Sequence, residues 1–221
     1  AAARTLRDFE TAEAWLTRAM DLTPEGAWVW VQRAALYECE DRYDESLAAA
    51  QRALAVDRGG RLAPAAAAHA LQILDRDAEA LELLARAAPA VEAALLEVQL
   101  AMLQFETGHY PEAEEGLRRT LRLSPLAEKS FLQWLQWRLS DVACARGDLD
   151  AAIERGRRAD LPGFRPVVDS LSRPEARTAR RVLLPVAFVR QHHMTCAPAT
   201  LSALSRFWQM PADHLSVVEE I

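Results

Sequence analysis

Tyr110-Pro-Glu-Ala-Glu-Glu-Gly-Leu-Arg-Arg-Thr-Leu-Arg-Leu-Ser-Pro125 decides the fold, because its pattern returns at near-constant intervals upstream and downstream. Tyr110, Ala113, Leu117 and Thr120 follow Asp77, Ala80, Leu84 and Ala87 by 33 residues. Steps of 34 lead back from there to Tyr43, Ser46, Ala50 and Ala53, then to Phe9, Ala12, Leu16 and Ala19. A forward step of 39 gives Leu149, Ala152, Gly156 and Ala159. An aromatic or apolar residue, a small one three on, then residues four and three further all fall on one helical face. Small side chains there let a neighbouring helix come close, so each unit buries its face against the next.

Between these helices lie partial first-helix signatures: Trp30, Ala34 and Tyr37 in one unit, Leu100 with Ala101 in another. Gly108 and Gly147 fall at the turns inside two hairpins, where glycine takes up a left-handed backbone without steric cost. The unit starting near Arg61 is degenerate, with Pro64 and an alanine run in its first helix. A period near 34 with small residues at these offsets resembles the tetratricopeptide repeat, two antiparallel helices per unit. The resemblance covers roughly residues 6 to 160 and implies an all-α solenoid over residues 1–160. The chain opens on the second helix of a repeat, so a missing or degenerate leading helix is expected.

That resemblance also implies a partner face. In such repeats the first helix of each hairpin lines the concave side, which here selects Trp28, Val31, Leu95, Val98, Phe105, Trp134 and Trp137. A Trp-lined groove suits an apolar peptide or helix of a protein partner. Ordinary packing between helices is the competing reading of the same residues. Trp134 and Trp137, three apart, are the foremost groove candidates, and the C-terminal segment that follows is positioned to cover them.

The whole chain of 221 residues carries a formal charge of −6, with alanine, leucine, arginine and glutamate abundant and only 8 glycines. Helix is favoured over sheet by that composition. An acidic balance with no basic stripe argues against a general nucleic-acid binder. No apolar run approaches the ~20 residues of a membrane span, and no signal segment opens the chain. Three widely spaced cysteines, Cys39, Cys144 and Cys196, imply no disulfide framework, so a reducing, cytoplasmic setting is expected. Cys39 and Cys144 read as small packing residues within helices.

Periodicity fades from Leu161, where prolines, Gly163 and serines mark residues 161–181 as a linker. Arginines crowd it and its flank, including Arg155, Arg157, Arg158, Arg165, Arg173 and Arg177. A phosphate patch and a self-docking face are both open readings, the second favoured because no aromatics interleave.

Beyond the linker, the β-like run Val182-Leu-Leu-Pro-Val-Ala-Phe-Val189 leads to Gln191, His192, His193 and then Cys196. Ala199 to Trp208 reads as a helix, with Cys196 in its first turn beside Pro198 and with Trp208 and Met210 in the core. A helix N-terminus favours a thiolate, and the Gln191 amide is placed to serve a nearby oxyanion. The stretch resembles the papain-like cysteine peptidases, in particular the bacteriocin leader-processing (double-glycine) branch, through Pro185 to Gln191 and Cys196-Ala-Pro-Ala-Thr-Leu201. By that resemblance residues 182–221 are the N-terminal piece of an α+β peptidase-like domain, Cys196 the nucleophile and Gln191 the oxyanion residue.

The family's base histidine lies further downstream, and neither His192, His193 nor the Asp213-His214 pair suits its role, so the chain as it stands is expected to be inactive. His192, His193 and Cys196 lack zinc-ligand spacing, and neither metal nor cofactor is expected. Two functions follow: a repeat-scaffolded cysteine peptidase, hydrolysing a peptide bond in the complete protein, or a non-catalytic interaction scaffold.

Overall fold

The computed structural model describes residues 7–57, 59–179, 184, 186, 189, 195–210 and 216–217. Helices dominate, and no strand occurs among the described residues. In order they are α1 (Phe9–Leu22), α2 (Ala27–Cys39), α3 (Tyr43–Val56), α4 (Leu62–Ile73) and α5 (Asp77–Val91), then α6 (Ala94–Glu106), α7 (Tyr110–Leu123), α8 (Lys129–Ala145), α9 (Leu149–Ala159), α10 (Arg165–Leu171) and α11 (Cys196–Phe207). None is long and apolar enough to cross a membrane.

The chain divides into two compact units, Ala1–Ala80 with Val182–Ile221 and Leu81–Arg181. Within the first, α2 packs antiparallel on α3, and α4 lies against both. Val31, Ala53 and Ala63 form a buried cluster there, flanked by Trp30, Leu54 and Ala66. In the second unit α6 pairs with α7 and α8 with α9, while α7 also meets α8. Its core is Ala101, Ala113, Leu117, Leu135, Leu139 and Val142. Each fully buried leucine of that set contributes roughly 1.5–3 kcal/mol of burial free energy.

One backbone device recurs ahead of α1, α3, α5, α7 and α9. Arg7, Asp41, Asp75, Gly108 and Gly147 have φ of 58°, 58°, 57°, 83° and 82°, each two residues ahead of the helix that follows. In the four turns from Asp41 onward, the next residue's N–H donates back into the preceding helix: Arg42 to the Tyr37 carbonyl at 2.8 Å, Arg76 to Leu71 at 2.9 Å, His109 to Gln104 at 2.8 Å and Asp148 to Ala143 at 2.9 Å. This closure satisfies carbonyls that the ending helix leaves open. Local caps reinforce it at α1, where the Asp8 carboxylate accepts the Thr11 N–H at 3.2 Å. At α9 the Asp148 carboxylate accepts from Ala151 N–H at 3.0 Å.

Within the expected linker, residues 161–179 are described and hold short helical elements. These are a 3-10 turn at Pro162–Phe164, then α10, then a second 3-10 turn at Pro174–Arg177. The prolines that read as breaks instead sit in the first turn of each element, where a missing N–H costs nothing. α10 packs on α9. The β-like run at 182–189 falls almost wholly outside the described residues, and a peptidase-like α+β segment is not among the architecture described.

Candidate functional site

Helix periodicity places the seven groove candidates on α2, α6 and α8, and their burial differs sharply. In the first unit Trp28 opens α2 and is 58% exposed. Val31, one turn on, is buried in the core cluster with Ala53 and Ala63. Neighbouring Trp30 turns its indole N–H to the Pro24 carbonyl at 3.3 Å. Further along, the His69 ring nitrogen meets the Glu38 carboxylate at 2.9 Å, joining α2 to α4.

The second unit gathers the other five. Leu95 stands 41% exposed at the start of α6. Val98, Phe105 and Trp134 are partly buried, each with one side packed on the core. Phe131 stacks nearly parallel to Trp134 at 5.9 Å between ring centroids. Trp137 is covered by Phe164, with centroids 4.0 Å apart and planes 26° from parallel. The residue over Trp137 thus comes from the expected linker, directly after α9.

Beside Phe105 and Trp134 lies a charged pair that periodicity alone does not single out. Arg138 lies 5.3 Å above the Phe105 ring and 6.0 Å from the Trp134 ring. Its Nη1 donates to Asp141 Oδ2 at 2.8 Å, and its Nε points to the Met102 sulfur at 3.4 Å. Burial pushes the Asp141 carboxyl above its ordinary range, while Arg138 pulls the other way. The i, i+3 spacing of Arg138 and Asp141 on α8 was the available signal, and it looks like any surface ion pair in sequence. The resulting face is apolar and aromatic, with one guanidinium held by a desolvated carboxylate. Such a surface can take aliphatic or aromatic side chains and offer hydrogen bonds to an extended backbone.

The arginine-rich stretch is mostly consumed internally. Arg165 pairs with Asp160 at 3.0 Å, Arg158 with Glu154 at 2.7 Å, and Arg177 with Asp150. Arg157 donates to Ser172 Oγ at 3.3 Å. Arg155 instead donates to the neutral Gln136 side chain at 3.2 Å, and burial together with Arg118 and Arg158 lowers its pKa. A cleft of about 260 Å³ between α9 and α10 is lined by Arg157, Arg165, Asp160 and Asp169 over Gly156, Leu161 and Val168. Two guanidiniums balanced by two carboxylates give it no net charge with which to select an ion.

Cys196 is the first residue of α11 and is exposed. Its carbonyl accepts the Thr200 hydroxyl at 2.9 Å. Ala199 and Ser202 form the buried face of α11, whereas Leu201, Leu204, Trp208 and Met210 are exposed. Trp208 and Met210 were expected in the core, and the structure corrects that: they are 71% and 67% exposed, while Ala199 and Ser202 are the buried positions of α11. Gln191, His192, His193, Asp213 and His214 lie outside the described residues. No group of three metal-ligating side chains occurs among the described residues.

No protein-family model matches the sequence, and no curated protein matches it either. Solved structures do resemble it. YrrB, described as a TPR protein with an unusual peptide-binding site, is 17% identical with a TM-score of 0.57, over 76% of this chain and 86% of that one. PilF of Pseudomonas aeruginosa is 16% identical with a TM-score of 0.65, over 80% of this chain and 81% of that one. TTC0263, a TPR protein of Thermus thermophilus, is 16% identical with a TM-score of 0.57, over 76% of this chain and 92% of that one. With the hairpin period and the repeated turn, these likenesses establish the fold as a tetratricopeptide-type helical array.

Proposed function

We propose that the chain is a non-catalytic interaction scaffold, and that the first-helix face of its second unit holds an extended segment of a protein partner. The observation carrying this reading is Arg138 of α8 set over the Phe105 and Trp134 rings, with Val98 packed on the same core and Leu95 exposed at the start of α6. Side chains of that kind bind peptides through apolar contact, while the guanidinium donates to main-chain carbonyls. YrrB, similar in fold, is described as having a peptide-binding site. The test is a peptide array probed with the protein and with its Leu95→Ala and Arg138→Ala variants. Peptides bound by the protein and lost with both variants support the reading. Binding that both variants retain, or an array with no bound peptide, ends it.

Exposure of Cys196 at the start of α11 favours a second reading, in which residues 182–221 open a cysteine peptidase-like domain with Gln191 as oxyanion residue. There the repeats would recruit a substrate whose peptide bond the complete protein hydrolyses. A thiol-reactive probe at mildly acidic pH separates the two. A Cys196 that reacts faster than Cys39 and Cys144 favours the peptidase reading, and equal rates remove it.

A further inference from the structure

We propose that Phe164 and Arg165 are a built-in occupant of the end of the second unit's face, and that the external ligand there is a peptide presenting an aromatic residue followed by an arginine. This deepens the reading above and rests on it. The stacked pair is the first argument. Phe164 lies 4.0 Å over Trp137 yet remains 41% exposed, so the tryptophan is covered by a side chain that is itself covered on one side only. A second aromatic ring at that spacing gains a stacking term beyond the area it buries, which an aliphatic side chain does not.

Charge supplies the second argument. Arg165 follows Phe164 and pairs with the Asp160 carboxylate at 3.0 Å, with both side chains largely exposed. The Gln133 amide donates to the Asp160 carbonyl at 3.2 Å, fixing that aspartate beside α8. An aromatic-arginine pair from another chain would meet the same tryptophan face and the same carboxylate. Exposed ion pairs of this type are weak and exchange readily.

Anchoring supplies the third. The covering segment is held from behind by Val168, only 6% exposed, which sits against Gly156 on α9. The Phe164 and Arg165 side chains can therefore swing off Trp137 and Asp160 while Val168 keeps α10 docked on α9. The covering residues form an exchangeable clasp and the anchor is separate from it.

The experiment adds a synthetic peptide of sequence Leu-Pro-Gly-Phe-Arg-Pro-Val-Val to the whole chain, to the Phe164→Ala/Arg165→Ala variant and to Phe164→Leu. Circular dichroism confirms that helicity is unchanged in each. The peptide is expected to bind the double variant roughly three- to tenfold tighter than the wild type, as one ring stack implies. Phe164→Leu, which keeps apolar cover without a stack, should fall between them. Binding should vanish when the peptide's Phe is changed to Ala or when Trp137→Ala is added. Equal affinity for wild type and double variant, no binding to either, or survival after Trp137→Ala overturns the inference. The two proposals fail separately. Array peptides that need Leu95 and Arg138 but ignore Phe164→Ala leave the scaffold reading standing and sink only this one.

Discussion

Gly116 on α7 faces Ala101 on α6 with no room for another carbon: a Cβ at Gly116 would stand 2.8 Å from the Ala101 Cβ. Neither atom can rotate away, because each is fixed by a helical backbone. The close approach is what lets Leu117 and Ala113 reach the core they share with Ala101. It is the point at which the hairpin's geometry depends on a single absent methyl.

Gly116→Ala is accordingly expected to destabilise the second unit. Alanine gains about 1 kcal/mol over glycine in helix propensity, while forcing α6 and α7 apart costs about 1–3 kcal/mol. The net expectation is a loss near 1 kcal/mol, read from the urea midpoint at constant slope. Gly163→Ala is the control, since nothing lies within 4 Å of a Cβ placed there. A Gly116→Ala variant as stable as the parent contradicts the close-contact argument.

Gly108→Ala tests backbone conformation without crowding. A Cβ at Gly108 meets nothing within 4 Å, but its φ is +83°. The left-handed region costs an alanine about 1–2 kcal/mol. A loss of that size in thermal or urea unfolding is expected, and the same holds for Gly147→Ala, where φ is +82° and the space is likewise open. No change in either variant means that the turn relaxes to another conformation.

These turns also show how far sequence reasoning reached. Gly108 and Gly147 announced themselves, because glycine is the cheapest residue at positive φ. Asp41 and Asp75 adopt the same conformation in the equivalent turns and gave no such signal, since aspartate only occasionally goes there. The Asp41 carboxylate compensates by accepting the Tyr43 hydroxyl at 2.7 Å. The repeat period was therefore legible, being written in side-chain spacing. Which face α11 buries was not: Ala199 and Ser202 carry little hydrophobic signal, while the exposed Leu204 and Trp208 carry much. Arg138 escaped notice because its importance comes from Phe105, thirty-three positions earlier in the chain, brought beneath it by the fold.

Acidification is expected to act on the second unit in two opposite ways. Hydrogen bonding from Arg177 holds the Asp150 carboxyl below its ordinary range, with Nη1 of Arg177 donating to Oδ2 at 3.3 Å and Nη2 to the other oxygen. A depressed folded pKa means that this tie is present above the ordinary carboxylate pKa and is lost as pH falls through the lower folded value. Asp141 has the reverse sign. Burial raises its pKa, so the folded state carries a penalty at neutral pH that is relieved as pH drops from the raised value to the ordinary one. Carboxyl carbon shifts recorded by NMR against pH should titrate Asp141 above free aspartate and Asp150 below it. Amide protection at Ala176 and Thr178 should fall with Asp150 and also with added salt, because that pair is exposed. Identical titration of both carboxyls would contradict the assigned environments.

Gly156 and Val168 permit the strictest test of how the C-terminal segment is held. A Cβ at Gly156 would lie 2.7 Å from Val168 Cγ2 and 3.3 Å from the Ser140 hydroxyl, which itself donates to the Ala152 carbonyl at 2.6 Å. Gly156→Ala alone should cost about 1–2 kcal/mol through overpacking, less what the helix gains from alanine. Val168→Ala alone should cost roughly 1–3 kcal/mol through the lost methyls and the space they leave. Together the new methyl fills part of the volume that the old ones vacated. The double variant should therefore be more stable than the sum of the singles predicts, by at least about 0.5 kcal/mol of coupling. Strictly additive losses would mean that the two residues do not touch in solution, and that α10 is held at some other point than the notch in α9.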